Sequence, residues 1–213
     1  TISKLLEKID KKKLLKNKYQ IIIKKNIPSE SGLGGGSINA ASIINFFINK
    51  KLIKVKKKEV IKISNLIGSD VILGLYSKNL VLKPNNLIKT LSFKKRFYIL
   101  IVKPNFGCST KKIYSKVKRF SKPEFYLTSK NILGTEFLKK MKNDLESIAF
   151  DEHPKLRALK NFLENLSNIK FVRMTGSGSA IIAYFSSVRK CKEAEKKVKK
   201  KFRNYWCKTS KTI

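Results

Sequence analysis

Apolar residues at Ile2, Leu5, Leu6 and Ile9 follow the 3.6-residue spacing of a helix with one buried stripe. The run "YQIIIKKNI" (Tyr19–Ile27) is short, β-branched and closed by Pro28, a pattern that predicts a strand. Ala40, Ala41, Ile44 and Phe47 then place an apolar face on a helix over about 38–49, and "KKEVIKISNLI" (Lys57–Ile67) predicts another, ended by Gly68. Short strands are expected around Asn86. "RFYILIVKP" reads as a buried strand stopped by Pro104, and "STKKIYSKVKRF" as an amphipathic helix capped by Ser109. Lys122 to Thr135 is weakly patterned and reads as a linker. "TEFLKKMKNDLESIAF" and "PKLRALKNFLENL" predict one helix each. "FVRMTGSGSAIIAYF" predicts strand, turn and strand; "SVRKCKEAEKKVKKKF" a charged helix; and "RNYWCKTSKTI" a terminal strand. The alternation predicts an α+β chain of two mixed layers meeting near Lys94, each an antiparallel sheet backed by helices.

Between the first predicted strand and the helix after it lies "IPSESGLGGGSINAASII". Four of the ten glycines, Gly32, Gly34, Gly35 and Gly36, fall within five positions. A glycine loop leading into a helix presents bare backbone N–H groups and the positive end of the helix dipole to an anion. Ser37 adds a hydroxyl donor, or a ligand for a phosphate-bound Mg²⁺. A flexible turn is the plainer alternative, yet linker glycines are normally flanked by polar residues, and here a strand and an Ala-rich helix adjoin them. The loop is not the common nucleotide motif "GxxxxGKS/T", because no lysine follows its last glycine. No acidic residue stands where a dinucleotide fingerprint needs one.

Two further features carry chemistry. In "LIGSDV", Asp70 is the only acid between Glu59 and Glu124. A single carboxylate in an apolar setting suits acceptance of a hydroxyl proton, while a helix-capping or turn role is the structural alternative. In "MTGSGSAIIAYF", Gly176 and Gly178 make either a plain hairpin turn or a second glycine-lined wall against the same anion.

Composition changes the picture less. Lys plus Arg number 49 against 14 Asp plus Glu, a formal charge of +35, which attracts nucleic acid, acidic lipid or phosphorylated small molecules. The lysines are spread along a chain that also holds much Ile and Asn, as AT-rich coding produces. The chain lacks the interleaving of basic and aromatic residues expected of a nucleic-acid module. Three scattered cysteines and the single His153 exclude a disulfide framework and a zinc site. The apolar runs are too short to cross a bilayer and no secretory signal is present, so a cytoplasmic protein is expected.

In this order the blocks "PSESGLGGGSINAA", "LIGSDV", "PNFGCSTKKIY", "NDLE" and "MTGSGS" resemble the GHMP kinases, and among them the 4-diphosphocytidyl-2-C-methyl-D-erythritol kinase family of the methylerythritol phosphate route to isoprenoids. The resemblance implies a two-domain GHMP kinase fold: a ribosomal protein S5 domain 2-like ATP-binding domain over residues 1–93 and a ferredoxin-like domain over 94–213. It implies ATP and Mg²⁺, a small-molecule substrate, no nucleic-acid or membrane partner, and a monomer or homodimer. The ATP loop maps onto Pro28, Ser29, Glu30, Ser31, Gly32, Leu33, Gly34, Gly35, Gly36, Ser37 and Ile38, with Ser37 near the metal. The catalytic carboxylate maps onto Asp70, and the substrate contacts onto Thr110, Tyr114, Gly176, Ser177 and Gly178. Asn143 and Asp144 are expected to support the substrate side, and Lys25 to lie near the nucleotide. Homoserine and mevalonate kinases are the alternatives within the superfamily.

Several positions depart from the family pattern. Glu30 and Ser31 replace loop glycines, Ile38 a serine, and Ile72 the proline after the catalytic carboxylate; "KPNNLIK" stands for the family's "GxGE". Glu30 beside a phosphate repels it unless its carboxylate turns away. The family's opening "PAKINLFL" and "DGYH" have no counterpart here. The resemblance therefore implies a first domain incomplete at its N-terminus, an absent catalytic lysine, and little or no activity in residues 1–213 alone.

Overall fold

A computed structural model describes residues 1–83, 87–90, 96–122 and 135–212. The chain divides into two compact units, one comprising Thr1–Asn26 and Gly34–Ser92, the other Ile27–Leu33 and Phe93–Ile213.

The first unit is built on helices α1 (Ile2–Lys11), α2 (Gly35–Asn49) and α3 (Lys57–Ile67), with the single turn α4 (Val71–Gly74) and the hairpin β1 (Leu80–Leu82) and β2 (Ile88–Thr90). Its core joins Leu5 and Ile9 of α1, Ala40, Ala41, Ile44 and Phe47 of α2, and Val60, Ile63 and Ile67 of α3. The α2 residues are the inward face read from the sequence, while of the stripe read for α1 Leu5 and Ile9 are buried and Ile2 and Leu6 half-buried. Gly74 admits α4 close to α2, since a Cβ there would lie 2.7 Å from the Ala41 Cβ. The strand predicted for Tyr19–Ile27 is not formed: the segment is irregular and Ile22 is 86% exposed. A β-branched run becomes a strand only beside a partner ladder, and in this unit β1–β2 is the strand pairing among the described residues. Asn86 lies outside the described residues, though β1 and β2 flank it.

The second unit carries β3 (Tyr98–Lys103), α5 (Thr110–Ser115), α6 (Thr135–Lys140), α7 (Asp144–Glu152), α8 (Pro154–Glu164), β4 (Ile169–Met174), β5 (Ile181–Phe185), α9 (Val188–Lys201) and β6 (Trp206–Lys211). The strands form one antiparallel sheet in the order β4-β5-β3-β6. Helices α7, α8 and α9 cover one face: Leu156, Leu159 and Leu163, one helical stripe with no exposed surface, pack with Val172, Ile181, Ala183 and Phe185. On the other face Phe97, Phe171 and Tyr184 form an aromatic cluster, with the Phe171 and Tyr184 rings stacked at 4.1 Å. Two helices differ from their expected extents. "TEFLKKMKNDLESIAF" is not one helix but α6 and α7, because Asn143 caps a new start: its side chain accepts from the Leu145 N–H at 3.1 Å. Helix α5 stops at Ser115, short of the predicted length, with Ser109 as its cap. The expected linker lies outside the described residues from 123 to 134. Lys139, Lys140 and Lys170 border a groove beside the edge strand β4, where charge discourages pairing with another chain.

Candidate active site

In the second unit the glycine loop and the glycine turn meet. Residues Ile27–Leu33 lie along the turn after β4. The Ser179 N–H donates to the Glu30 carbonyl at 3.1 Å, the Ala180 N–H to the Ser31 carbonyl at 3.0 Å, and the Thr175 hydroxyl to the Gly32 carbonyl at 3.1 Å. Glu30, Ser31 and Gly32 thus spend their carbonyls on protein donors, while their N–H groups have no acceptor among the described residues. Only glycine fits at position 32: φ is +71° and a Cβ would stand 2.1 Å from the Thr175 carbonyl oxygen. Glu30 also has positive φ, at 50°, the conformation that the glycine it replaces would adopt without strain. Its side chain lies against Gly107, where a Cβ would come within 2.4 Å of the Glu30 Cβ.

A buried lysine supports this docking. Lys103, at the end of β3, is 5% exposed and donates to the Pro104 carbonyl at 2.9 Å and the Phe106 carbonyl at 2.7 Å. Burial lowers its pKa, opposed by the nearby Cys108 and Glu30. The Phe106 carbonyl also accepts from the Ser179 hydroxyl at 2.7 Å. The turn of 104–107 is therefore tied to both glycine segments. Burial pushes the Cys108 thiol up to about 11, so it stays protonated and inert. The lysine excess hid Lys103 in the sequence; its position just before a strand-ending proline was the available signal.

The predicted substrate residues cluster around the same turn. The Thr110 and Ser177 hydroxyls are 2.9 Å apart. Ser177 is buried and Gly176 is exposed. Tyr114, 51% exposed on α5, borders a cavity of about 450 Å³ with Phe120, Asn143, Asp144, Thr175 and Gly176. Asp144 accepts from the Ser121 N–H at 2.8 Å and its hydroxyl at 2.9 Å, which fixes the residue after Phe120. His153 separates α7 from α8 and stacks on Phe106 at 5.1 Å.

In the first unit, α2 begins at Gly35, a few residues before the start expected at about residue 38, with Gly34 as its left-handed cap. The first intrahelical bond runs from the Ile38 N–H to the Gly34 carbonyl at 2.9 Å, so the N–H groups of Gly35, Gly36 and Ser37 are unpaired, as at any helix start. Pro28, Ser29 and Leu33 complete the loop, and Lys25 lies exposed in the irregular segment before it. Asp70 immediately precedes α4 and is exposed. Its carboxylate caps no helix; Oδ1 accepts from the Ser69 hydroxyl at 3.3 Å. Its backbone holds the N-cap position of α4 within a turn, the structural alternative to a catalytic role. Packing of Gly74 onto Ala41 and Ile38 sets α4, and with it Asp70, against the first turns of α2.

Family models agree with both halves: GHMP kinases N terminal domain matches residues 1–78 and GHMP kinases C terminal matches residues 130–206. A 4-diphosphocytidyl-2-C-methyl-D-erythritol kinase from Pelagibacter ubique (strain HTCC1062) is 54% identical over the whole chain, which spans 76% of that relative. The chain belongs to the GHMP kinases. Within them it groups with the kinases named for 4-diphosphocytidyl-2-C-methyl-D-erythritol; a Clostridium kluyveri relative so named is 30% identical across 89% of the chain and 70% of its own length. The fold of this GHMP kinase matches a crystal structure of 4-(cytidine 5'-diphospho)-2C-methyl-D-erythritol kinase with TM-score 0.69 at 22% identity, over 87% of the chain and 68% of that one. Homoserine kinase from Cytophaga hutchinsonii matches with TM-score 0.66 at 16% identity, over 99% of the chain and 74% of that one, a likeness of fold alone. The α+β architecture of this GHMP kinase and its ferredoxin-like strand order accord with the fold the sequence implied.

Proposed function

We propose that the protein transfers the γ-phosphoryl group of ATP to the 2-hydroxyl of 4-diphosphocytidyl-2-C-methyl-D-erythritol, a step in the non-mevalonate route to isoprenoid precursors. The observation that carries this reading is the 54% identity over the whole chain to a kinase of that name. The geometry supports it: the carbonyls of Glu30, Ser31 and Gly32 are spent on the protein and their N–H groups are left for phosphate oxygens, and a helix start follows in the chain.

The roles divide as follows. Residues Pro28 to Ile38 hold the ATP phosphates by backbone N–H donation. Asp70 orients the substrate hydroxyl and accepts its proton as the oxygen attacks the γ-phosphorus and the bond to the bridging oxygen of ADP breaks. Tyr114 stacks on the cytosine ring, with Thr110, Gly176, Ser177 and Gly178 shaping that side of the pocket. Among the described residues no cluster of three His, Cys, Asp or Glu side chains is placed to bind a metal. Mg²⁺ carried in on the phosphates would need few protein ligands, of which Ser37 would be one. Bound there, Mg²⁺ neutralises charge that develops on the phosphates. No described helix is long and apolar enough to cross a membrane.

The test, on the full-length protein, is transfer from ATP to the cytidyl substrate, homoserine and mevalonate in parallel, with products identified by mass. Phosphorylation of the cytidyl substrate alone is expected; transfer to homoserine or mevalonate instead would overturn the assignment. Asp70→Asn is expected to lower turnover roughly 10²–10⁴-fold, the usual scale of a lost general base. Its ATP affinity, by calorimetry, stays unchanged. Near-normal turnover would remove Asp70 from the base role.

A further inference from the structure

Strand β4 is an edge of its sheet, yet its last residue is not left open. The Met174 N–H donates to Glu146 Oε2 at 2.9 Å, and the Met174 carbonyl accepts from Asn143 Nδ2 at 3.0 Å. Two side chains from the start of α7 thereby take the place of a fifth strand. Asn143 reaches one step further, donating at 2.8 Å to the Gly176 carbonyl inside the glycine turn. Both donors of its carboxamide group and its oxygen, which caps α7, are thus engaged at once. Behind it Lys160 of α8 pairs with Glu146 at 2.5 Å, holding that carboxylate in place. From the β4 side the Arg173 guanidinium donates to the Leu138 carbonyl at 2.5 Å and to the Met141 carbonyl, which fixes the break between α6 and α7 where Asn143 sits.

We infer that Asn143 and Glu146 are positioning residues for the nucleotide loop, acting through the glycine turn. The chain of contacts is continuous. Asn143 and Glu146 set Met174 and Gly176; the turn then presents the Thr175 hydroxyl and the Ser179 and Ala180 N–H groups; these in turn hold the carbonyls of Gly32, Glu30 and Ser31. Releasing the turn at Gly176 frees the loop segment whose N–H groups face phosphate. The inference rests on the proposed kinase reading for its kinetic consequence, not for its structural one.

Asn143→Asp separates the two jobs of the residue. Aspartate caps a helix as well as asparagine does, so α7 keeps its start, but it has no N–H to give Met174 or Gly176. Asn143→Ser tests the same loss without an added charge. With both variants KM for ATP is expected to rise at least tenfold, the scale of two lost hydrogen bonds, while kcat changes less than about threefold. Amide exchange at Ser179 and Ala180 quickens by a similar factor, and that at Ala183 in β5 does not. Glu146→Ala, which removes the acceptor of the Met174 N–H, follows Asn143→Asp. Unaltered exchange at Ser179 and Ala180 in both Asn143 variants would overturn the inference, as would a loss of activity that merely tracks a lowered Tm. If the unaltered full-length protein transfers no phosphoryl group, the kinase reading fails, and the exchange measurement still decides the positioning role.

Discussion

Gly32 and Gly35 stand three residues apart in one loop and answer to different constraints. At Gly32 positive φ and the Thr175 carbonyl leave no room for a methyl group. At Gly35 a Cβ would meet nothing within 4 Å. Gly32→Ala is therefore expected to cost about 1–3 kcal/mol, from backbone strain and from prising the loop off the turn. Thermal unfolding should show a Tm several degrees lower. Gly35→Ala should leave Tm unchanged or slightly raised, since alanine favours helix. Its methyl group instead obstructs the backbone face assigned to phosphate, so KM for ATP rises. Equal Tm losses in the two variants would contradict this division. The sequence pointed to a need for glycine here; only the turn opposite position 32 shows which glycine the fold requires.

At the scale of elements, periodicity identified nearly every helix and failed where a partner decides. The stripe of α2 pointed correctly to its buried face, because an amphipathic helix needs only an apolar surface to lie on. Tyr19–Ile27 carries the composition of a strand without a ladder to join. The division of α6 from α7 depends on Asn143, whose capping choice is invisible without the Met174 and Gly176 carbonyls that its amide reaches. Helices α5 and α7 are linked by Glu152, which pairs with both Lys112 and Lys116. Hydrogen bonds from Lys112 and Lys116 hold its carboxyl well below the ordinary value of 4.5, to about 2. A carboxylate whose pKa falls on folding stabilises above the unfolded pKa, and the gain is lost as pH falls through the folded one. Urea unfolding should show stability declining between pH 4.5 and 2, with Glu152→Gln flattening that decline. An unchanged slope in the variant would rule this link out.

For the whole molecule the dominant quantity is charge. A net +35 on 24.4 kDa repels itself, and the ten ion pairs among the described residues use few of its 49 cations. Raising salt from about 10 mM to 150 mM shortens the Debye length from roughly 30 to 8 Å. The Tm is expected to rise by several degrees over that range; a Tm that falls with salt would show that ion pairing outweighs repulsion. The sequence by itself determined the α+β class, the apolar faces, the order of the five blocks and the kind of chemistry they imply. Each of these is written in local spacing or in residue types that the chemistry cannot exchange. Only the tertiary structure decided that the loop carbonyls of 30–32 are held by the turn of 175–180, that Lys103 is buried, and that Asn143 and Glu146 close the edge of β4. Those contacts join residues up to 149 positions apart, as Glu30 and Ser179 are. A hydrogen bond needs a few ångströms in space, which separation along the chain does not record.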